Sequence, residues 1–208
     1  MNIYQQEQIQ ALQMVRQHMD LVDTVENIAD FDVKAQTREY LAFRSDAETF
    51  FKKWFERICS KNCYGSRVSA CCTKDGILTF WADVVINAGQ MEKGELDQLE
   101  RTITDPENEY KCIYLTQKGC AWRIKPIICE MFLCAEAECS VFHENPEAET
   151  RWRELEERKK TFTWPDRLVL FEVLEELFID AGVDSPLMYM HKSPGLLRLI
   201  RQRKNAGG

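Results

Sequence analysis

The sequence predicts a mainly α fold with a small β element, an α+β arrangement in which helical flanks surround a cysteine-rich core. Three observations predict it. Apolar residues recur at helical steps near the N-terminus and again through the last third of the chain. Residues 77–86 form a run rich in β-branched and aromatic side chains. All nine cysteines fall between Cys59 and Cys139. A chain of 208 residues fits one domain, with core 59–139 and helical flanks 1–58 and 140–208.

The elements follow in order. Residues 3–29 read as an amphipathic helix, with Leu12, Val15, Met19 and Val22 on one face. Ser45 begins a second helix, since Glu48 completes a capping-box pattern. Its stripe is Phe51, Trp54, Phe55 and Ile58, widened by Phe50, and it runs into Cys59. Residues 60–76 are loop-like. Residues 77–86 read as strand or hairpin. A short helix over 95–103 leads to the Asp105-Pro106 turn. Residues 110–116 and 121–124 read as paired strands about Gly119. Pro126 opens a helix continuing over 127–138, and Pro146 closes that region.

The last third is helical. Residues 151–160 carry Glu154/Arg158 and Glu156/Lys160 at the stabilising four-residue spacing. Residues 166–181 form an apolar helix stopped by Gly182, and residues 194–204 form a last helix. Lys192, Arg198, Arg201, Arg203 and Lys204 make this end basic. Such a tail suits an acidic partner or an RNA backbone, but more often it is a solvated helix end complementing the helix dipole.

Composition narrows the function classes. The net charge of −7 argues against nucleic acid as the main partner. No apolar run reaches membrane-span length, and the first residues lack a basic start followed by an apolar block. The expected compartment is the cytosol. There, disulfides are disfavoured, and nine thiols leave one unpaired in any case. Buried thiols used as small hydrophobes would scatter along the chain, and these do not.

Thiolates are soft ligands suited to zinc, copper(I) and iron–sulfur clusters. The expected metal ligands are Cys59, Cys63, Cys71, Cys72, Cys112, Cys120, Cys129 and Cys134, holding an iron–sulfur cluster of the [4Fe–4S] type or zinc. No C-x2-C knuckle of the common zinc kind is present. Ile113, Trp122, Ile127, Ile128, Met131 and Phe132 supply apolar surroundings fit to shield a cluster. Arg123 and Lys125 either offset thiolate charge or are plain surface cations. Cys139 and His143 stand four apart, though His143 reads as a surface residue. His18 and His191 have no nucleophile–carboxylate pattern around them, so no His-based triad is expected.

The runs Cys71-Cys72-Thr-Lys-Asp-Gly-Ile-Leu-Thr, Lys111-Cys112-Ile-Tyr-Leu and Gly119-Cys120-Ala-Trp-Arg-Ile-Lys-Pro126-Ile-Ile-Cys129 resemble the zinc- or iron-chelating cysteine-cluster family. Its pattern is C-x2-C-x2-CC, then C-x-apolar-Leu, then GC-x5-P-x2-C. The resemblance spans roughly residues 59–134 and carries over best at Cys71, Cys72, Cys112, Cys120 and Cys129, with Cys134 as a sixth. The opening departs from the pattern: Cys59-x3-Cys63-x7-Cys71-Cys72 replaces the close spacing. The resemblance implies metal binding. Related architecture in flagellin lysine methylases leaves protein modification open; the alternative reading is a structural zinc module whose helical flanks recognise another protein.

Overall fold

The computed structural model describes residues 1–28, 30–59, 78–107, 112–116 and 119–206. The expected ligands Cys63, Cys71 and Cys72, and the loop over 60–76, lie outside these residues, as does the side chain of Cys59.

The described chain is mostly helical, with two short antiparallel strand pairs. Asn2 caps α1 (Ile3–Gln17), its side chain accepting from the Gln5 N–H while Gln5 returns a bond. The expected helix over 3–29 breaks at His18. α2 (Met19–Thr24) follows, then β1 (Asn27–Ile28) pairs with β2 (Phe31–Asp32). α3 (Val33–Trp54) starts twelve residues before Ser45, because Asp32 caps it by accepting from the Ala35 N–H at 2.8 Å. Ser45 lies inside that helix, and Glu48 pairs with Lys52 instead of capping. α4 (Glu56–Cys59) ends at the first cysteine.

Of the expected strand over 77–86, residues 81–86 belong to a helix instead. α5 (Trp81–Ala88) is buried at all eight positions. A helix covered on every side has no polar face, so its apolar run mimics a buried strand. α1 and α10 (Leu170–Asp180) pack against it. Trp81 meets Phe178 edge-on at 5.1 Å, and Phe80 meets Phe171 at 5.5 Å. Tyr40 of α3 contacts Phe171 and also Phe162 of α9 (Pro146–Thr163). Aromatic edges thus join α3, α9 and α10 into one core.

α6 (Lys93–Thr104) fits the expected short helix and packs on α1. Gln5 of α1 donates to the Ile103 carbonyl at 2.8 Å. The second hairpin is β3 (Leu115–Thr116) with β4 (Gly119–Cys120), so the partner strand is 119–120 and not 121–124. The expected helix over 127–138 is two pieces: α7 (Ile127–Glu130) and α8 (Ala135–Phe142), separated by 131–134. Pro126 stands one residue earlier than expected, as the N-cap of α7.

Pro146 begins α9 and does not merely end a loop. The expected ion pairs on α9 change partners. Arg158 reaches Asp46 of α3, Arg151 binds Glu154, and Lys160 binds Glu157. α10 ends at Gly182, whose φ of +83° only glycine adopts freely. α11 (Tyr189–Lys192) and α12 (Pro194–Ala206) then pack together beside α10. Among the described residues no helix is long and apolar enough to cross a membrane.

Candidate metal centre

Cys112, Cys120 and Cys129 lie on one short stretch built around the β3–β4 hairpin and α7. A tight turn starts the hairpin, with the Leu115 N–H bonded to the Cys112 carbonyl at 3.0 Å. The Tyr114 N–H donates to Cys112 Sγ at 3.4 Å. A backbone N–H aimed at sulfur favours the thiolate and tunes a metal that thiolate holds. Cys112 is 7% exposed. Cys120 sits in β4 opposite Leu115. Gly119 before it has φ +107° and open space where a Cβ would stand, so its backbone conformation, not crowding, calls for glycine.

α1 covers the hairpin. The Tyr114 hydroxyl donates to Gln8, which is buried. Trp122 packs edge-on to Tyr114 at 5.3 Å. The Tyr4 hydroxyl faces Tyr114 and Thr79. Burial pushes the Tyr4 pKa up, and negative charge on Cys112 and Cys129 pushes it further.

Three side chains fix the chain between Cys120 and Cys129. Asn87 of α5 donates to the Ile124 carbonyl at 2.8 Å and accepts from the Ile124 N–H at 2.9 Å, as a neighbouring strand would. Asp83 accepts from the Ile127 N–H at 3.0 Å and from the Phe80 N–H at 3.1 Å. One carboxylate thus serves the first turns of both α5 and α7. Arg44 of α3 donates to the Lys125 carbonyl at 2.6 Å and to the Tyr40 hydroxyl at 2.7 Å. Asp83 is 2% exposed, and burial pushes its pKa up to about 6 against the opposing pull of Arg44.

The other expected residues are placed less centrally. Cys134 is half-buried at the N-cap of α8. Cys139 is exposed on α8, and His143 is exposed at its end. Arg123 bonds the Gln90 carbonyl and the exposed Glu95, and the half-exposed Lys125 pairs with the buried Glu130, so both cations have carboxylate partners. Ile113, Trp122, Ile127 and Met131 are buried as expected, whereas Phe132 is 41% exposed.

One polar cluster has no counterpart in the expectations. Glu172, Glu175 and Glu176 of α10 meet His191 of α11 and Arg203 of α12. His191 is the residue that sequence patterning sets aside. The available signal was three glutamates at helical spacing in an otherwise apolar helix. Among the described residues, the group of three His, Cys, Asp or Glu donors with all ligand atoms within 4.8 Å of one another is Glu172, Glu176 and His191. The described cysteines do not form such a group. No family model, curated protein or solved structure matches the chain.

Proposed function

We propose that the chain binds a metal centre through thiolates, either a [4Fe–4S]-type cluster serving electron transfer or protein modification, or a structural zinc ion. The observation that carries this reading is the Tyr114 N–H directed at the buried Cys112 Sγ at 3.4 Å, on a segment where Cys120 and Cys129 then flank the clamped stretch 124–127. The clamp on 124–127 supports it, because a metal site needs its ligands held in place before the metal arrives. The donor chemistry fits: soft sulfurs, half-buried or buried, with an N–H directed at one of them. Cys120, Cys134 and the cysteines of 59–72 complete the donor set in this reading.

Anaerobic purification of the full chain, with iron, zinc and sulfide analysis and a visible spectrum, tests it. A cluster gives brown protein with about four irons and four sulfides per chain. Colourless protein whose stoichiometric zinc is lost in Cys112→Ser and Cys129→Ser selects the structural zinc module, a surface for another protein. Metal content that those two substitutions leave unchanged rejects both. Cys139→Ser keeps the metal in either case, since that thiol is exposed.

A further inference from the structure

The cluster on α10 and α11 has the chemistry of a second cation site, independent of the cysteines. Glu172 and Glu176 stand four residues apart on α10 and so share one face. His191 comes from a different element, and the ligand atoms of the three lie within 4.8 Å of one another. Glu175 stands outside this trio and orients it. Its Oε2 is 3.1 Å from His191 Nδ1 and 3.1 Å from the His191 backbone nitrogen. With Nδ1–H given to Glu175, the ring presents Nε2 as a lone pair. Carboxylate–histidine pairs hold metal-binding imidazoles in this way.

A second observation points to a missing cation. The Glu175 side chain is fully buried, and its Oε1 has no hydrogen-bond partner among the described residues. Glu172 is also fully buried, and Arg203 binds both its oxygens, at 2.7 and 2.8 Å. Each of those oxygens keeps a further lone pair. Arg203 offsets one of the three carboxylates. A proton on His191 would offset a second; a divalent cation that takes the His191 lone pair displaces that proton and supplies the positive charge in its place. Burying an excess of carboxylates without a counterion is costly. Glu176 and His191 are only partly buried, so the cluster opens to solvent on one side and leaves room for water ligands.

We propose that Glu172, Glu176 and His191 bind a divalent first-row cation, with zinc the best match to one imidazole and two carboxylates, and that Glu175 positions His191 for it.

Cobalt(II) is the probe, because its spectrum separates the two kinds of site. Cobalt on sulfur gives an intense near-ultraviolet charge-transfer band, and cobalt on nitrogen and oxygen gives only weak visible bands. Metal-depleted full-length protein titrated with Co2+ should show one equivalent with the nitrogen–oxygen spectrum. Cys112→Ser should leave that equivalent in place. His191→Ala and Glu176→Gln should each weaken it at least about tenfold. Glu176 is partly exposed, so Glu176→Gln decides the matter should His191→Ala fold poorly. A titration showing only thiolate-bound cobalt, or equal affinity in wild type and Glu176→Gln, overturns the proposal. Neither result counts against the thiolate reading, so the failure of this proposal is distinguishable from the failure of that one.

Discussion

Two of the buried polar clusters among the described residues are wired differently. Around α5, Asp83, Asn87 and Arg44 direct their bonds largely to backbone groups of 124–127. Around α10, Glu172, Glu175, His191 and Arg203 bond mostly to one another. The first arrangement dictates the path of the chain. The second docks α11 and α12 on α10 and concentrates charge at one point. Side chains that grip backbone build a rigid frame for neighbouring ligands, whereas side chains that grip each other create a site whose charge can change.

The largest effect should come from the backbone clamp. Asp83→Ala strips two buried N–H groups of their acceptor and removes a buried countercharge of Arg44, so it should cost about 3–4 kcal/mol in denaturant unfolding. If the proposed thiolate reading holds, the substitution should also lower the metal content of the purified protein. The side-chain cluster should be more tolerant. Glu172→Gln leaves Arg203, 17% exposed, facing a neutral amide, and should cost about 1–3 kcal/mol while sparing the thiolate metal.

Proton linkage sharpens the contrast, because the clusters titrate in different windows. Burial holds the folded-state pKa of Asp83 at about 6, above its ordinary 3.8. Its contribution is therefore fully present below about pH 4 and lost as pH rises through 6, on the order of 2–3 kcal/mol. Unfolding curves across pH 4–7 should show this fall in the wild type relative to Asp83→Asn. The bond to Glu175 raises the pKa of His191 above 6.5. That contribution is complete below pH 6.5 and lost as pH rises through the higher folded-state value. His191→Gln should remove only this second decline. The smallest effect is expected at the surface: Arg158→Ala breaks the exposed pair with Asp46 and should change stability by less than about 1 kcal/mol.

Much of the helical frame was legible in the sequence. The faces of α1, α6, α9 and α10 follow apolar spacing, and Gly182 marks a stop. α5 was not, because burial on all sides erases the periodicity that separates helix from strand. Ser45 and Glu48 carried a capping signal that a longer helix overrode, since Asp32 upstream caps as well. The hairpin carrying Cys120 was legible to within a few residues from Gly119. Asp83, Asn87 and Arg44 were not legible as a clamp, because their partners lie 37 to 81 residues away and are mostly backbone atoms, which carry no residue identity. His191 was missed for a related reason: its partner Glu175 stands 16 residues earlier, on another helix.

The lack of any solvent face on α5 also constrains how the chain comes to be folded. Its flanks are covered by α1, made before it, and by α10, made well after it. During translation Trp81, Val84 and Val85 must wait, uncovered, until residues 170–180 leave the ribosome. That interval is when a nascent chain of this protein is most prone to stick to its neighbours, and when a chaperone that grasps apolar segments would find the α5 segment an obvious hold.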